Sequence, residues 1–204
     1  MGEKYIGTKF KTIYLDDFRP NKTEKIIIKQ LIKIGKDLGK LGFKDKNGGN
    51  FSFKTKRGII IKTTGSYPHQ LKPDDFVLLT KISGDKVFVY GKCEPSSEAR
   101  LHFKIYNTRE DVKCVLHSHD NLAINLKEKI KGPIYIKEYP YGSLESARAI
   151  KRAASKGNYI IMKNHGVFAL GKTINGAFNL IYKYHEKFKT IKNKTSRDSK
   201  IRKK

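Results

Sequence analysis

Cys114-Val115-Leu116 runs without a break into His117-Ser118-His119-Asp120, and that junction restricts the fold more than any other stretch. A short apolar run of this kind reads as the end of a buried strand. In extended chain, residues i and i+2 point to the same side. The strand therefore delivers His117 and His119 together at its tip, where both rings can reach one metal ion, each about 2.0–2.1 Å from a zinc. Taken alone, a His-x-His pair serves equally well as a polar strand end in water, so the weight falls on what surrounds it.

The surrounding pattern is of strands bracketed by helices. Tyr5 to Leu15 is rich in β-branched and aromatic residues and reads as a strand or extended arm. Asn21-Lys22-Thr23-Glu24 has the form of a capping box. Behind it Ile27, Leu31, Ile34, Leu38 and Leu41 recur at three- and four-residue steps, one face of an amphipathic helix ending near Gly39–Gly42. After the glycine-rich turn Asn47-Gly48-Gly49-Asn50 come strands at 51–54, 59–62, 76–79 and 86–90, the last two joined by a hairpin turn at Ser83-Gly84-Asp85. A helix follows Pro95-Ser96-Ser97-Glu98, then the strand ending at His117. A short helix is expected at 121–129, a strand at 133–136, and a helix from Ser143 to Ala154. Strands at 159–163 and 167–170 lead to a last helix from Thr173, striped by Ile174, Ala177, Ile181, Tyr184 and Phe188. The expected fold class is α/β: three layers, α/β/α, with helices on both faces of a central mixed, largely antiparallel sheet.

Composition bears on class and compartment. No stretch approaches the roughly 18 apolar residues of a membrane span, and Met1 to Tyr5 lacks the apolar centre of a signal peptide. Two cysteines, Cys93 and Cys114, fit a reducing compartment, and the expected location is cytoplasmic. Lys and Arg number 44 against 19 Asp and Glu, a formal charge of +25. That excess invites nucleic acid as a partner. The charge is spread along the whole chain, however, and no zinc-finger, KH or RRM pattern accompanies it. A small anionic ligand fits better than nucleic acid. The densest basic stretch, Lys187 to Lys204, has Asp198 as its sole acid. Residues 190–204 are therefore expected to be a disordered tail, and residues 1–20 an extended arm.

Three further groups carry chemistry. His165, in Asn164-His165-Gly166, stands where a strand breaks, and with His117 and His119 completes three imidazoles. Three protein ligands with an open fourth position is the catalytic zinc arrangement, and neutral imidazoles leave the ion its full Lewis acidity. Glu98 at a helix start serves either the helix dipole or as a general base beside a metal. Gly49-Asn50, Thr64-Gly65 and Ser96-Ser97 are ordinary turns singly; jointly they offer hydroxyls and backbone N–H groups for a phosphate. His102, one helical turn beyond Glu98, is expected to pack. His69 and His185 are expected to face solvent, and Cys93 and Cys114 to pack rather than ligate.

The order Gly49-Asn50-x-Ser52, Thr64-Gly65, Pro95-Ser96-Ser97-Glu98, His117-x-His119, Asn164-His165-Gly166 and Gly171-Lys172-Thr173 resembles the class II aldolase/adducin family. The resemblance extends over residues 21–189, which it marks as the family's domain. It implies His117, His119 and His165 as zinc ligands and Glu98 as the catalytic acid/base. Gly49, Asn50, Thr64, Gly65, Ser96 and Ser97 become the set that holds a substrate phosphate. It further implies a homotetramer with active sites between subunits, and a lyase that forms or cleaves a phosphorylated ketose through the enediolate of dihydroxyacetone phosphate. The family's other chemistries leave an epimerase or dehydratase on the same zinc site, or a non-catalytic adducin-like module, as alternatives. Between His119 and Tyr141 the chain is shorter than in the family's aldolases, which carry there a tyrosine that handles the aldehyde oxygen. Tyr141 stands where an aromatic residue lines the neighbouring site.

Overall fold

The computed structural model describes residues 7–43, 49–125 and 130–201. In chain order the elements are β1 (Lys11–Tyr14), α1 (Lys22–Lys40), β2 (Asn50–Lys54), β3 (Ile59–Lys62), β4 (Phe76–Ser83), β5 (Lys86–Tyr90) and α2 (Ala99–Tyr106). There follow β6 (Cys114–Ser118), α3 (Asn121–Asn125), β7 (Ile134–Ile136), α4 (Leu144–Ala154), β8 (Tyr159–Met162), β9 (Gly166–Gly171) and α5 (Ile174–Ile201). The strands form one nine-stranded sheet in the order β1-β5-β4-β3-β2-β6-β9-β8-β7. Only the outermost pairings, β1 with β5 and β7 with β8, are parallel. The sheet is mixed and largely antiparallel, as expected.

β6 lies at its middle, antiparallel to β2 on one side and β9 on the other. Successive β6 side chains enter opposite cores. Cys114 and Leu116 join Leu31, Leu38, Ile181 and Phe188 beneath α1 and α5. Val115 joins Leu101, Ile105, Ile150 and Ala154 beneath α2 and α4. A central strand buried on both faces explains the unbroken apolar run.

Local chemistry sets the helix starts. Asn21 Oδ1 accepts from the Glu24 backbone N–H at 2.9 Å, and Glu24 Oε2 accepts from the Asn21 N–H at 2.9 Å. Arg57 Nη1 donates to the same Glu24 oxygen at 2.8 Å, tying the β2–β3 turn to this cap. Ser143 caps α4 by accepting from the Ser146 N–H, and the Thr173 hydroxyl accepts from the Gly176 N–H at the start of α5.

The N-terminal stretch, expected as a strand or extended arm, enters the sheet, while the C-terminal stretch departs from expectation. Residues 11–14 of the arm are an edge strand of the sheet. The basic tail, expected to be disordered, continues α5 as helix through Ile201. Lysine and arginine are good helix formers, and the Thr190 and Thr195 hydroxyls donate back to the carbonyls four residues earlier. A charge run that forms no core still propagates a helix already nucleated by packing. Among the described residues no helix is long and apolar enough to cross a membrane.

Candidate active site

The site is built where β6, β9 and the start of α2 converge. His117 and Ser118 end β6, and His119 follows at once. On the neighbouring side, Asn164 in the left-handed region (φ +56°) turns the chain between β8 and β9. Its amide donates to Glu138 Oε2 at 2.6 Å, and the His165 N–H donates back to the Met162 carbonyl at 3.2 Å. That turn brings His165 to the other two rings. The ligand nitrogens of His117, His119 and His165 all lie within 4.8 Å of one another.

Two glycines make this approach possible. A Cβ at Gly166 would fall 2.7 Å from His117 Cε1 and 2.7 Å from the Ser118 carbonyl oxygen. At Gly49, where φ is +94°, a Cβ would fall 2.3 Å from the His117 carbonyl oxygen. Both positions are sterically closed to any side chain.

His117 is the most constrained ligand. Its ring stacks on Phe168 with centroids 4.1 Å apart. Its Nδ1 donates to the Val167 carbonyl at 3.0 Å, which leaves Nε2 with a lone pair and no hydrogen. Burial drives this imidazole well below its ordinary pKa, so the ring is neutral. Its Nε2 nevertheless faces Glu98 Oε2 at 3.2 Å, while His165 Nε2 faces Glu98 Oε1 at 3.1 Å. Burial pushes the Glu98 carboxyl up, and it is positive charge at the His117 and His165 positions, with the Asn50 amide, that brings it well below the usual carboxylate range; with the rings neutral, that charge has to come from a cation among them. Lone pair thus meets carboxylate in a buried place, and His117 Nε2 has no hydrogen-bond partner. Such an arrangement is unfavourable unless a cation stands among these atoms. Two ligands each about 2.05 Å from one tetrahedral ion are about 3.3 Å apart, close to the Glu98-to-histidine separations. The residues therefore fit a metal ion held by three imidazoles, with the carboxylate able to occupy the fourth position.

Glu98 occupies the N-cap position of α2, yet its side chain caps nothing. It turns instead toward the histidines and accepts from Asn50 Nδ2 at 2.7 Å. This separates its two sequence readings: the carboxylate faces the imidazoles rather than the helix end.

The residues of the expected phosphate set fall in three stretches of chain. The Thr64 N–H donates to the Glu94 carbonyl at 3.0 Å, and the Ser96 N–H to the Lys62 carbonyl at 2.9 Å. Thr63–Gly65 and Glu94–Ser97 are therefore neighbouring loops. Gly65 is exposed, with φ +77° and open space where a Cβ would stand. Ser97 and Thr64 are half-buried, and Ser96 is buried with its hydroxyl accepting from the Glu98 N–H at 3.3 Å. Gly49 and Asn50 adjoin His117 and Glu98 instead. Asn47 lies outside the described residues.

Several side chains differ from the sequence reading. His185, expected in solvent, is buried, with Nδ1 3.0 Å from Asp120 Oδ2 and its ring edge-on to Phe43. His69 is half-buried. Cys114 packs in the core, but Cys93, expected to pack, is exposed. Tyr135 is turned to the chain behind it, its hydroxyl accepting from the Ile130 N–H at 2.9 Å. Tyr141 is buried beneath Lys9, whose ammonium stands 4.5 Å from the ring centre. Gly166 stands in the expected motif and Phe168 in the expected strand, but the sequence reading gives neither a part in packing the histidines. His102 packs as expected, fully buried, and also meets Asn50.

A three-layer α/β/α fold thus carries, at the tip of a central strand, three clustered histidines with a carboxylate facing two of them. The chain belongs to the class II aldolase and adducin N-terminal domain family, whose model matches residues 29–191. It is 33% identical over 162 residues to the L-fuculose phosphate aldolase of Methanocaldococcus jannaschii, covering 74% of this chain and 87% of that protein. It is 26% identical over 167 residues to the 5-deoxy-D-ribulose 1-phosphate aldolase of Bacillus thuringiensis, covering 74% of this chain and 77% of that protein. The fold matches the L-fuculose-1-phosphate aldolase of Thermus thermophilus with a TM-score of 0.73, over 85% of this chain and 96% of that one. At 18% identity that likeness speaks for the fold alone.

Proposed function

We propose that this protein is a zinc-dependent lyase that forms or cleaves a ketose 1-phosphate through the enediolate of dihydroxyacetone phosphate. The observation that carries the reading is the buried Glu98 carboxylate facing the Nε2 atoms of His117 and His165 at 3.2 and 3.1 Å. The family membership and the two aldolase relatives support the reaction class.

His117, His119 and His165 hold the metal. A zinc ion there supplies Lewis acidity toward the carbonyl and hydroxyl oxygens of the substrate. Glu98 moves the proton: in the synthetic direction it takes one from the hydroxymethyl carbon beside the carbonyl, and in cleavage it returns it. Its ionised state suits the first role. The substrate phosphate sits among Gly49, Asn50, Thr64, Gly65, Ser96 and Ser97, where backbone N–H groups and hydroxyls receive an anion. The basic surplus of the chain draws such substrates inward. A homotetramer with active sites at subunit interfaces, and a cytoplasmic location, belong to the same reading.

The test is cleavage of L-fuculose 1-phosphate and 5-deoxy-D-ribulose 1-phosphate, with released dihydroxyacetone phosphate measured by coupled reduction. Zinc-dependent release from either supports the proposal. A zinc-loaded protein that releases none from any ketose 1-phosphate, but inverts or dehydrates a pentulose phosphate, replaces it with the epimerase or dehydratase reading.

A further inference from the structure

Behind Glu98 runs a line of buried polar side chains that the reaction as described does not use. Asn50 Nδ2 donates to Glu98 Oε2 at 2.7 Å. Asn50 Oδ1 meets His102 Nε2. His102 Nδ1 lies 2.6 Å from Ser52 Oγ, and Ser52 Oγ 2.8 Å from the Tyr106 hydroxyl. Asn50, Ser52 and His102 are buried, as is Tyr106. Two elements supply the line: Asn50 and Ser52 point from β2 toward α2, and His102 and Tyr106 stand on successive turns of α2 above them.

The direction of each hydrogen bond follows from the Asn50 amide. Asn50 presents its NH2 group to Glu98. Asn50 Oδ1 is then left as an acceptor, so His102 Nε2 carries the ring hydrogen. Burial lowers the His102 pKa to about 4, and a neutral ring has one hydrogen only. Its Nδ1 is therefore an acceptor and receives the Ser52 hydroxyl. Ser52 Oγ in turn accepts from Tyr106, whose hydroxyl is closer to it than to the Lys113 carbonyl at 3.3 Å. Tyr106, Ser52, His102 and Asn50 all donate toward Glu98. Chains aligned in one sense polarise one another and favour the charged terminus.

We infer that His102 is a positioning residue for the proton-transferring glutamate, holding the Asn50 amide in the one orientation that fixes Glu98 beside the three histidines. Without the His102 donor the amide is free to turn its oxygen toward the carboxylate, which repels it. The inference rests on the aldolase reading of Glu98, but its geometry can be tested without it.

His102→Leu removes the donor at similar volume, and His102→Gln restores a neutral group with an N–H for Asn50. In zinc-loaded protein, His102→Leu is expected to lower kcat for deuterium exchange into dihydroxyacetone phosphate by about 10- to 100-fold. KM and zinc stoichiometry stay within about twofold, and His102→Gln recovers most of the loss. Independently of activity, NMR of the Asn50 side-chain amide should show its protons exchanging with solvent at least about tenfold faster in His102→Leu than in wild type or His102→Gln. Should His102→Leu fail to fold, Ser52→Ala, which removes the donor to Nδ1 and leaves the Tyr106 hydroxyl the Lys113 carbonyl as acceptor, takes its place and must lower kcat without raising KM. A folded His102→Leu with wild-type kcat, a His102→Gln that falls equally far, or unchanged amide exchange would overturn the inference. A wild-type protein that exchanges no substrate proton but shows the amide effect would instead count against the aldolase reading alone.

Discussion

Gly166→Ala is the sharpest probe of how the metal site is packed. The added methyl would stand 2.7 Å from His117 Cε1, 2.7 Å from the Ser118 carbonyl oxygen and 3.0 Å from His119 Cδ2. Carbon atoms in contact prefer about 3.5–4.0 Å, so His117 would have to retreat by about 0.8 Å or more. It has nowhere to go. Phe168 stacks against its ring at 4.1 Å, its Nδ1 is bound to the Val167 carbonyl, and the ring is fully enclosed. Metal sites tolerate deviations of about 0.2 Å in ligand distance. Two of three ligands are therefore disturbed together. Overpacking of this kind costs about 1–3 kcal/mol of stability, and zinc affinity should fall at least about 100-fold, equivalent to about 2.7 kcal/mol. Chelator competition measures the affinity, and urea unfolding of the metal-free protein separates the stability loss from it. A Gly166→Ala protein that binds zinc within about twofold of wild type would refute the packing argument.

Three other outcomes follow from the fold. Asn21→Ala removes the side-chain half of the α1 capping box and should cost about 1 kcal/mol, read as a fall of about 2–4 °C in Tm. Asp120→Ala strips the N–H groups of Leu122 and Ala123 and the His185 ring of a shared acceptor in a fully buried place; denaturant unfolding should show a loss of about 2–4 kcal/mol. Lys62 is buried in β3, and burial lowers its ammonium to about 8 against about 10.4 in an unfolded chain. The folded state therefore releases this proton first, and its cost is full below about pH 8 and fades as pH rises toward 10. Lys62→Met should be more stable than wild type at pH 7 by up to roughly 3 kcal/mol, with the gap closing by pH 10; a gap independent of pH would contradict it.

The parts of the molecule legible in its sequence are those governed by near neighbours in the chain. The Asn21–Glu24 box, the Ser143 start of α4 and the apolar stripes of α1 and α5 depend on spacings of three and four residues, and each stands where the pattern placed it. The three histidines were legible because a strand end and a glycine turn carry them to one side of one sheet. What stayed hidden depends on register between distant strands. Phe168 lies under His117 because those two residues pair across β6 and β9. His102 meets Asn50 and Ser52 only because α2 crosses β2. His185 looked like a solvent residue on a charged helix until α5 folded against Phe43 and Asp120. The basic tail looked disordered because charge composition says nothing of the helix that precedes it.

The account turns on Glu98 acting as a base beside a metal held by His117, His119 and His165. Deuterium exchange into the hydroxymethyl carbon of dihydroxyacetone phosphate, followed by NMR in heavy water, tests this without knowledge of the aldehyde. Zinc-loaded wild type is expected to exchange that proton. Glu98→Gln should bind zinc yet exchange at least about 100-fold more slowly, the scale of a lost general base. Zinc-loaded protein that exchanges no proton, or exchange undiminished in Glu98→Gln, would contradict the account.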